Sequence, residues 1–243
     1  MTNYRPIFPS IFTTGNMICG FLSIVSAAEG DPTQAAWFII LAGFLDALDG
    51  KVARFSRAMS AFGKELDSLA DVISFGVAPA FLIYTFKLHA LGKWGWVIGI
   101  VYISASAFRL ARFNLLAQSE EKKNFMGLPV PAAGLTLATF VIFCYHLWGR
   151  IEYGEYLISM IILFSALMVS QVEYDTIPDH FNTRRDRIKL LYIVCLAGAA
   201  LIKARLLMFP GFLLYIIFGM VKEAIRIVKM ATAAYPKEKE PNE

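Results

Sequence analysis

A polytopic, all-helical membrane bundle is the fold class this sequence predicts, and three observations carry it. Hydrophobic residues make up 57% of the 243 and charged residues 17%, whereas a soluble domain has about 25% charged and 45–50% apolar residues. The mean hydropathy is +0.57, so there is too little polar surface to cover a ball in water. The apolar residues also gather into long runs, with the basic residues collected at their ends. With 17 Gly and 3 Cys, collagen-like repeats and a disulfide scaffold are excluded, and the apolar excess excludes disorder.

A hydrocarbon core about 30 Å thick takes roughly 20 apolar residues per helix. Eight segments meet that length: 11–28, 34–55, 66–86, 94–117, 129–148, 155–171, 188–204 and 206–221. The first follows Arg5 and has the length of a signal peptide, but it lacks a small-residue cleavage site, and Glu29-Gly30-Asp31-Pro32 reads as a short loop. The fifth starts at Pro129 and Pro131, residues suited to a first helical turn. Lys203 and Arg205 leave only a tight turn between the last two. A six-helix core followed by a re-entrant or interfacial pair is therefore the alternative count. Trp37, Trp94, Trp96 and Trp148 fall near span ends, as in an aromatic belt.

Beyond the last span, Val221, Ala224, Ile225 and Val228 recur at i, i+3, i+4, i+7 with Lys222, Arg226 and Lys229 off the stripe. This pattern predicts an amphipathic helix on anionic headgroups, followed by a solvated, flexible tail at 231–243. No repeat or linker divides the chain, so 1–243 reads as a single domain.

Orientation follows from the basic residues of alternate loops. Of the 23 Lys and Arg, 18 lie on the side holding Arg5, the 51–64 loop, Arg109, Arg112, Lys122, Lys123, the 184–189 cluster and the residues after 221. Lys87, Lys93, Arg150, Lys203 and Arg205 lie on the other. The excess puts both termini in the cytoplasm. Because the basic residues mark span ends rather than one continuous face, the +4 net charge reports topology and no nucleic-acid partner.

The chemistry resides in carboxylates that an apolar run should not contain. The second segment carries Asp46 and Asp49, and the third opens with Gly63, Asp67 and Asp71. A charge within a span costs about 2.5–3.5 kcal/mol on insertion scales and is functional by default. Asp46, Asp49, Gly50 and Ala53 share one helical face at i, i+3, i+4, i+7, and Gly63, Asp67 and Asp71 share another at i, i+4, i+8. Joined by a short loop, the two acidic faces confront each other. Four converging carboxylates need positive charge between them, and hard oxygen ligands select Mg2+, Mn2+ or Ca2+ over zinc. Two divalent ions so held would clamp a phosphate or pyrophosphate for in-line displacement. Gly50, Ala53 and Gly63 leave room for a bulky ligand near the backbone, and Arg54 can complete its neutralisation. Helix caps pairing with Lys51, Arg54, Arg57 and Lys64 would explain the aspartates singly, but neither their shared faces nor the small residues between them.

The pattern Asp46-x-x-Asp49-Gly50-x-x-Ala53-Arg54, eight residues, then Gly63-x-x-x-Asp67-x-x-x-Asp71 resembles the full signature of the CDP-alcohol phosphotransferase family. The resemblance implies a membrane-embedded enzyme using Mg2+ or Mn2+ that joins the phosphatidyl group of a CDP-linked lipid to an alcohol and releases CMP. It implies that Asp46, Asp49, Asp67 and Asp71 are metal ligands and that Asp71 also takes the proton of the attacking hydroxyl. Gly50, Ala53, Arg54 and Gly63 would shape the CDP pocket. Homodimers are common in that family.

Three further stretches resemble its membrane-integrated phosphatidylserine synthases: Pro9-Ser-Ile-Phe-Thr13-Thr-Gly-Asn16-Met-Ile-Cys-Gly20, with Ser10 where the pattern has Asn; Arg109-Leu-Ala-Arg112-Phe-Asn114; and Gly127-Leu-Pro129-Val-Pro131. By that resemblance Thr13 lies near the nucleotide, the lipid donor is CDP-diacylglycerol and the acceptor is L-serine. Serine carries a carboxylate beside an ammonium, which Arg109, Arg112 and Asn114 would suit, although basic residues at a helix end also serve as snorkelling anchors. Glycerol phosphate or inositol phosphate as acceptor and an archaeal ether-lipid donor are the alternatives within this chemistry. Outside it stands a divalent-cation transporter, which should place acidic residues at mid-bilayer and often duplicate half its fold; these aspartates lie near span ends and occur once. His89, His146 and His180 have no partners at zinc spacing.

Overall fold

The computed structural model describes residues 11–56, 61–118, 127–152, 154–172 and 184–234, and among these every regular element is helical. In chain order they are α1 (Ile11–Ala28), α2 (Pro32–Ser56), α3 (Ala61–Asp71), a π-helical turn (Val72–Val77), α4 (Ala78–Phe86), a short 3-10 turn (Leu88–Leu91), α5 (Lys93–Gln118), α6 (Val130–Trp148), α7 (Gly154–Val169) and α8 (Arg184–Ala234). Among the described residues, five stretches are long and apolar enough to cross a hydrocarbon core: Ile11–Ala28, Phe62–Phe86, Lys93–Leu116, Val130–Trp148 and Lys203–Lys229. The 16-residue α7 is apolar but shorter. The 25-residue α2, with Asp46, Asp49, Lys51 and Arg54 in its second half, is not among the five.

The loop read at residues 29–32 is present. Gly30 adopts φ +90°, and Asp31 caps α2 by accepting from the Gln34 amide at 2.8 Å. Pro129 precedes α6 and Pro131 sits in its first turn, as the sequence predicts. Gly149, at φ +67°, ends α6 and donates its amide to Tyr145 O at 3.0 Å. The two last apolar segments meet where the α8 backbone leaves helical geometry, at Lys203 (φ −145°, ψ 61°). Beyond it the helix runs on to Ala234, so the amphipathic stretch is continuous with the span before it, and residues 235–243 lie outside the described residues.

The packing is that of a bundle in lipid. On α1, Thr13, Asn16, Gly20, Ser23 and Ala27 face inward, while Ile11, Ile18 and Phe21 are exposed. Lipid tails are as apolar as the side chains they meet, so close packing and interhelical hydrogen bonds draw small and polar residues to the helix contacts. The most extensive helix contacts are between α1 and α2, α2 and α6, α5 and α7, and α6 and α8.

The π turn lies at the centre of this arrangement. Ser74, Phe75 and Gly76 are fully or almost fully buried, and helices α1 and α6 approach the turn through glycines. A Cβ on Gly20 would stand 2.9 Å from the Ser74 Cα, and one on Gly134 would stand 3.0 Å from the Phe75 Cα, so neither site has room for a side chain. Pro79 has no N–H to return to Phe75 O four residues earlier, and the buried Tyr102 hydroxyl of α5 donates to that carbonyl at 3.1 Å. Helices α1, α5 and α6 thereby fix the turn immediately after Asp71, which sets where the Asp71 carboxylate stands. π turns often occur at functional sites.

Candidate active site

Two helices supply the predicted acidic residues. Helix α2 supplies Asp46 and Asp49, and α3 supplies Asp67 and, at its last position, Asp71. Asp46, Asp67 and Asp71 each place a carboxylate oxygen within 4.8 Å of the others. The carboxylates converge as the sequence predicts, but among the described residues α2 and α3 do not pack as an antiparallel pair, and α1 packs on both. Asp49, buried one turn along α2, is an electrostatic neighbour of both Asp46 and Asp67. It accepts a hydrogen bond from the Thr13 hydroxyl of α1. Thr13 therefore orients the carboxylate that neighbours the cluster.

The donor set fits a divalent cation. It consists of carboxylate oxygens at mutual distances an ion can span, and three anions this close in a poorly hydrated site are stable only with positive charge among them. Gly50, on the face of α2 shared with Asp46 and Asp49, is exposed, and a Cβ placed on it would meet nothing within 4 Å. The open space is where the sequence expected a ligand to approach the backbone. Gly63, half-buried, lies one turn before Asp67 on α3. The side chains of Ala53 and Arg54 lie outside the described residues.

The residues predicted to meet the acceptor have separate surroundings. Arg109 of α5 is 7% exposed, is an electrostatic partner of Asp71, and has its Cζ 5.5 Å from the Phe113 ring centroid. Lys64 Nζ lies 5.9 Å from the same centroid. Arg112 donates to the carbonyls of Met168, Val169 and Ser170 at 3.3, 3.0 and 3.1 Å, at the C-terminal end of α7, where helical carbonyls have no partner of their own. The Gly127 and Leu128 amides donate to Val172 O and Leu167 O at 2.9 and 3.1 Å. Two of the stretches quoted above thus converge on one helix end. Asn114 donates to Ser68 Oγ at 2.9 Å and to Glu65 Oε2 at 3.3 Å, tying α5 to α3.

Sequence reasoning quoted Asn16 but assigned it no role. Its Nδ2 donates to Asp71 Oδ1 at 3.3 Å, and its backbone carbonyl accepts from Ser74 Oγ at 2.8 Å. The available signal was the placement of Thr13, Asn16, Gly20 and Ser23 on one face of an otherwise apolar helix, because a polar stripe inside a span marks the bundle interior.

Comparison with known proteins identifies the family. The model of the CDP-alcohol phosphatidyltransferase family matches residues 6–172, which include every predicted site residue. A CDP-diacylglycerol–serine O-phosphatidyltransferase of Helicobacter pylori is 34% identical over 233 residues, covering 92% of this chain and 94% of the relative. A protein of the same name from Bacillus subtilis is 35% identical, covering 71% of this chain and 92% of its own. An archaetidylserine synthase of Methanothermobacter thermautotrophicus is 38% identical over 68% of each chain.

Proposed function

The chain belongs to the CDP-alcohol phosphatidyltransferase family, and on that premise we propose that it transfers the phosphatidyl group of CDP-diacylglycerol to the hydroxyl of L-serine, giving phosphatidylserine and CMP. The observation that carries the chemistry is the convergence of the Asp46, Asp67 and Asp71 carboxylates within 4.8 Å of one another. Serine as acceptor rests on the activity for which relatives that align over most of this chain are named.

The family uses divalent metal ions. In this reading Asp46, Asp49, Asp67 and Asp71 hold two of them, Mg2+ or Mn2+. When bound, the ions supply Lewis-acid stabilisation of the attacking and leaving oxygens. Asp71 accepts the proton of the serine hydroxyl as its oxygen bonds to the phosphorus that carries diacylglycerol. The bond from that phosphorus to the CMP oxygen breaks, and CMP leaves with the electron pair. Thr13 holds Asp49 in place, and Gly50, Ala53, Arg54 and Gly63 receive the CDP moiety. Arg109 meets the serine carboxylate, while Arg112 and Asn114 support that pocket by fastening α7 and α3 to α5.

Purified protein with CDP-diacylglycerol and Mg2+ or Mn2+ should release CMP with L-serine, and far more slowly with glycerol phosphate or inositol phosphate. The reverse preference would transfer the assignment to a phosphorylated acceptor. The archaeal relative supports a second reading, an ether-linked donor lipid with the same acceptor, which a paired assay of ester and ether CDP-lipids resolves. Divalent-cation uptake into proteoliposomes without CMP formation would favour a transporter.

The topology belongs to the same proposal. Helices α1 and α2, the α3–α4 rod, α5, α6 and α7 form a six-span core in the cytoplasmic membrane, and α8, broken at Lys203, supplies two more spans, with the termini and the carboxylates on the cytoplasmic side. A single cysteine at position 60 should then resist an impermeant thiol reagent added outside intact cells and react after permeabilisation. Labelling from outside would invert the orientation and move the site with it.

A further inference from the structure

Among the described residues, three buried side-chain polar atoms have no hydrogen-bond partner: Asn16 Oδ1, Ser23 Oγ and Arg109 Nε. Two of them belong to residues that interact with Asp71. Asn16 is 0% exposed, and its Nδ2 donates to the Asp71 carboxylate at 3.3 Å. Only the NH2 end of an amide can donate to a carboxylate. That orientation leaves Oδ1, on the same planar group, as a buried acceptor beside the carboxylate. Arg109, 7% exposed on α5, lies within electrostatic reach of Asp71. An unpaired buried polar atom costs about 1–3 kcal/mol, and a native structure that retains one requires an explanation. A ligand that supplies the missing partner provides it.

We propose that Asn16 Oδ1 accepts a hydrogen bond from the ammonium of the acceptor substrate while Arg109 meets its carboxylate, so that together they select a zwitterionic amino acid over other alcohols. The proposal rests on the serine reading above and names the residue that discriminates. In serine the hydroxyl and the ammonium are on adjacent carbons. A residue bonded at one end to Asp71 and at the other to the ammonium therefore holds the hydroxyl against the carboxylate that receives its proton. Glycerol phosphate and inositol phosphate have no ammonium and would leave Oδ1 unpaired in a desolvated site. Unpaired polar groups reject an ill-matched substrate more strongly than an apolar pocket does.

The test uses the full-length protein in mixed micelles with CDP-diacylglycerol and Mn2+, measuring CMP release with L-serine and with 3-hydroxypropionate, which is serine without its ammonium. A hydrogen bond to a charged group contributes about 1.5–3 kcal/mol, so Asn16→Ala should raise the KM for serine roughly ten- to a hundred-fold, with the CDP-diacylglycerol KM within about twofold of its starting value. The preference for serine over 3-hydroxypropionate in kcat/KM should narrow by about tenfold or more. Asn16→Leu, closer in volume, is measured in parallel. Equal losses with both acceptors and an unchanged preference would make Asn16 a prop for Asp71 alone and overturn the proposal. If neither variant yields folded protein, the unmodified enzyme decides: inhibition by 3-hydroxypropionate at concentrations near the serine KM overturns the proposal, and inhibition only at concentrations about tenfold higher or more supports it. CMP release with another alcohol but not with serine would overturn the serine reading itself, an outcome separate from an unchanged preference.

Discussion

Asp71→Asn is expected to lower kcat by about a thousand-fold or more while leaving CDP-diacylglycerol binding largely intact. General base catalysis alone contributes about 10²–10⁴-fold, and Asp71 in the proposed mechanism also touches a metal. The substitution changes little else. Asn keeps the shape of the side chain and an oxygen that can accept from Asn16 Nδ2, and the packing of the following π turn by α1, α5 and α6 does not depend on the charge. Since a base acts chiefly in the transition state, the loss should fall on kcat rather than on lipid affinity. The measurement is CMP release at saturating serine together with a direct titration of CDP-diacylglycerol binding. A variant with undiminished kcat would remove Asp71 from the proton transfer. Loss of lipid binding equal to the loss of rate would leave it as a metal ligand only.

Removal of divalent cations by a chelator is expected to abolish CMP release, with recovery on addition of Mg2+ or Mn2+. Asn at position 46, 49 or 67 should reduce turnover on the order of a thousand-fold, since the ions are asked to supply several kcal/mol at the transferring phosphorus and each 1.36 kcal/mol is tenfold in rate. Asp46 and Asp67 contribute oxygens to the three-carboxylate cluster, and Asp49 is positioned by Thr13. Isothermal titration with Mn2+ should show weakened binding in each variant, which separates a ligand from a residue that only packs. Full activity in Asp67→Asn would refute the two-metal site.

Both experiments address residues that the sequence makes conspicuous for a thermodynamic reason. A charge inside an apolar run is costly, so Asp46, Asp49, Asp67 and Asp71 are visible against their background without any structure. Helical periodicity then assigns them to two faces, because residues three and four apart lie on one side of a helix. The same local logic placed the loop at residues 29–32, the helix start at Pro129 and the break at Lys203, where the backbone shows them. It did not yield the role of Asn16. An asparagine in an apolar helix is unremarkable until Asp71, 55 positions away, is beside it.

The sequence by itself determined that this is a helical membrane protein, where most of its helices begin and end, and which carboxylates are the candidates for its reactive set, because hydropathy, turn chemistry and periodicity are properties of neighbouring residues. The tertiary structure decided which faces meet. It brought Asp46 of α2 to Asp67 and Asp71 of α3 so that three carboxylates lie within 4.8 Å, seated the π turn against Gly20 and Gly134, directed Arg112 to the end of α7 and buried Arg109 within electrostatic reach of Asp71. Those choices depend on side-chain volumes and hydrogen bonds between residues tens of positions apart, and no local pattern encodes such contacts: Arg109 and Arg112, three residues apart on one helix, have indistinguishable sequence signatures and different partners.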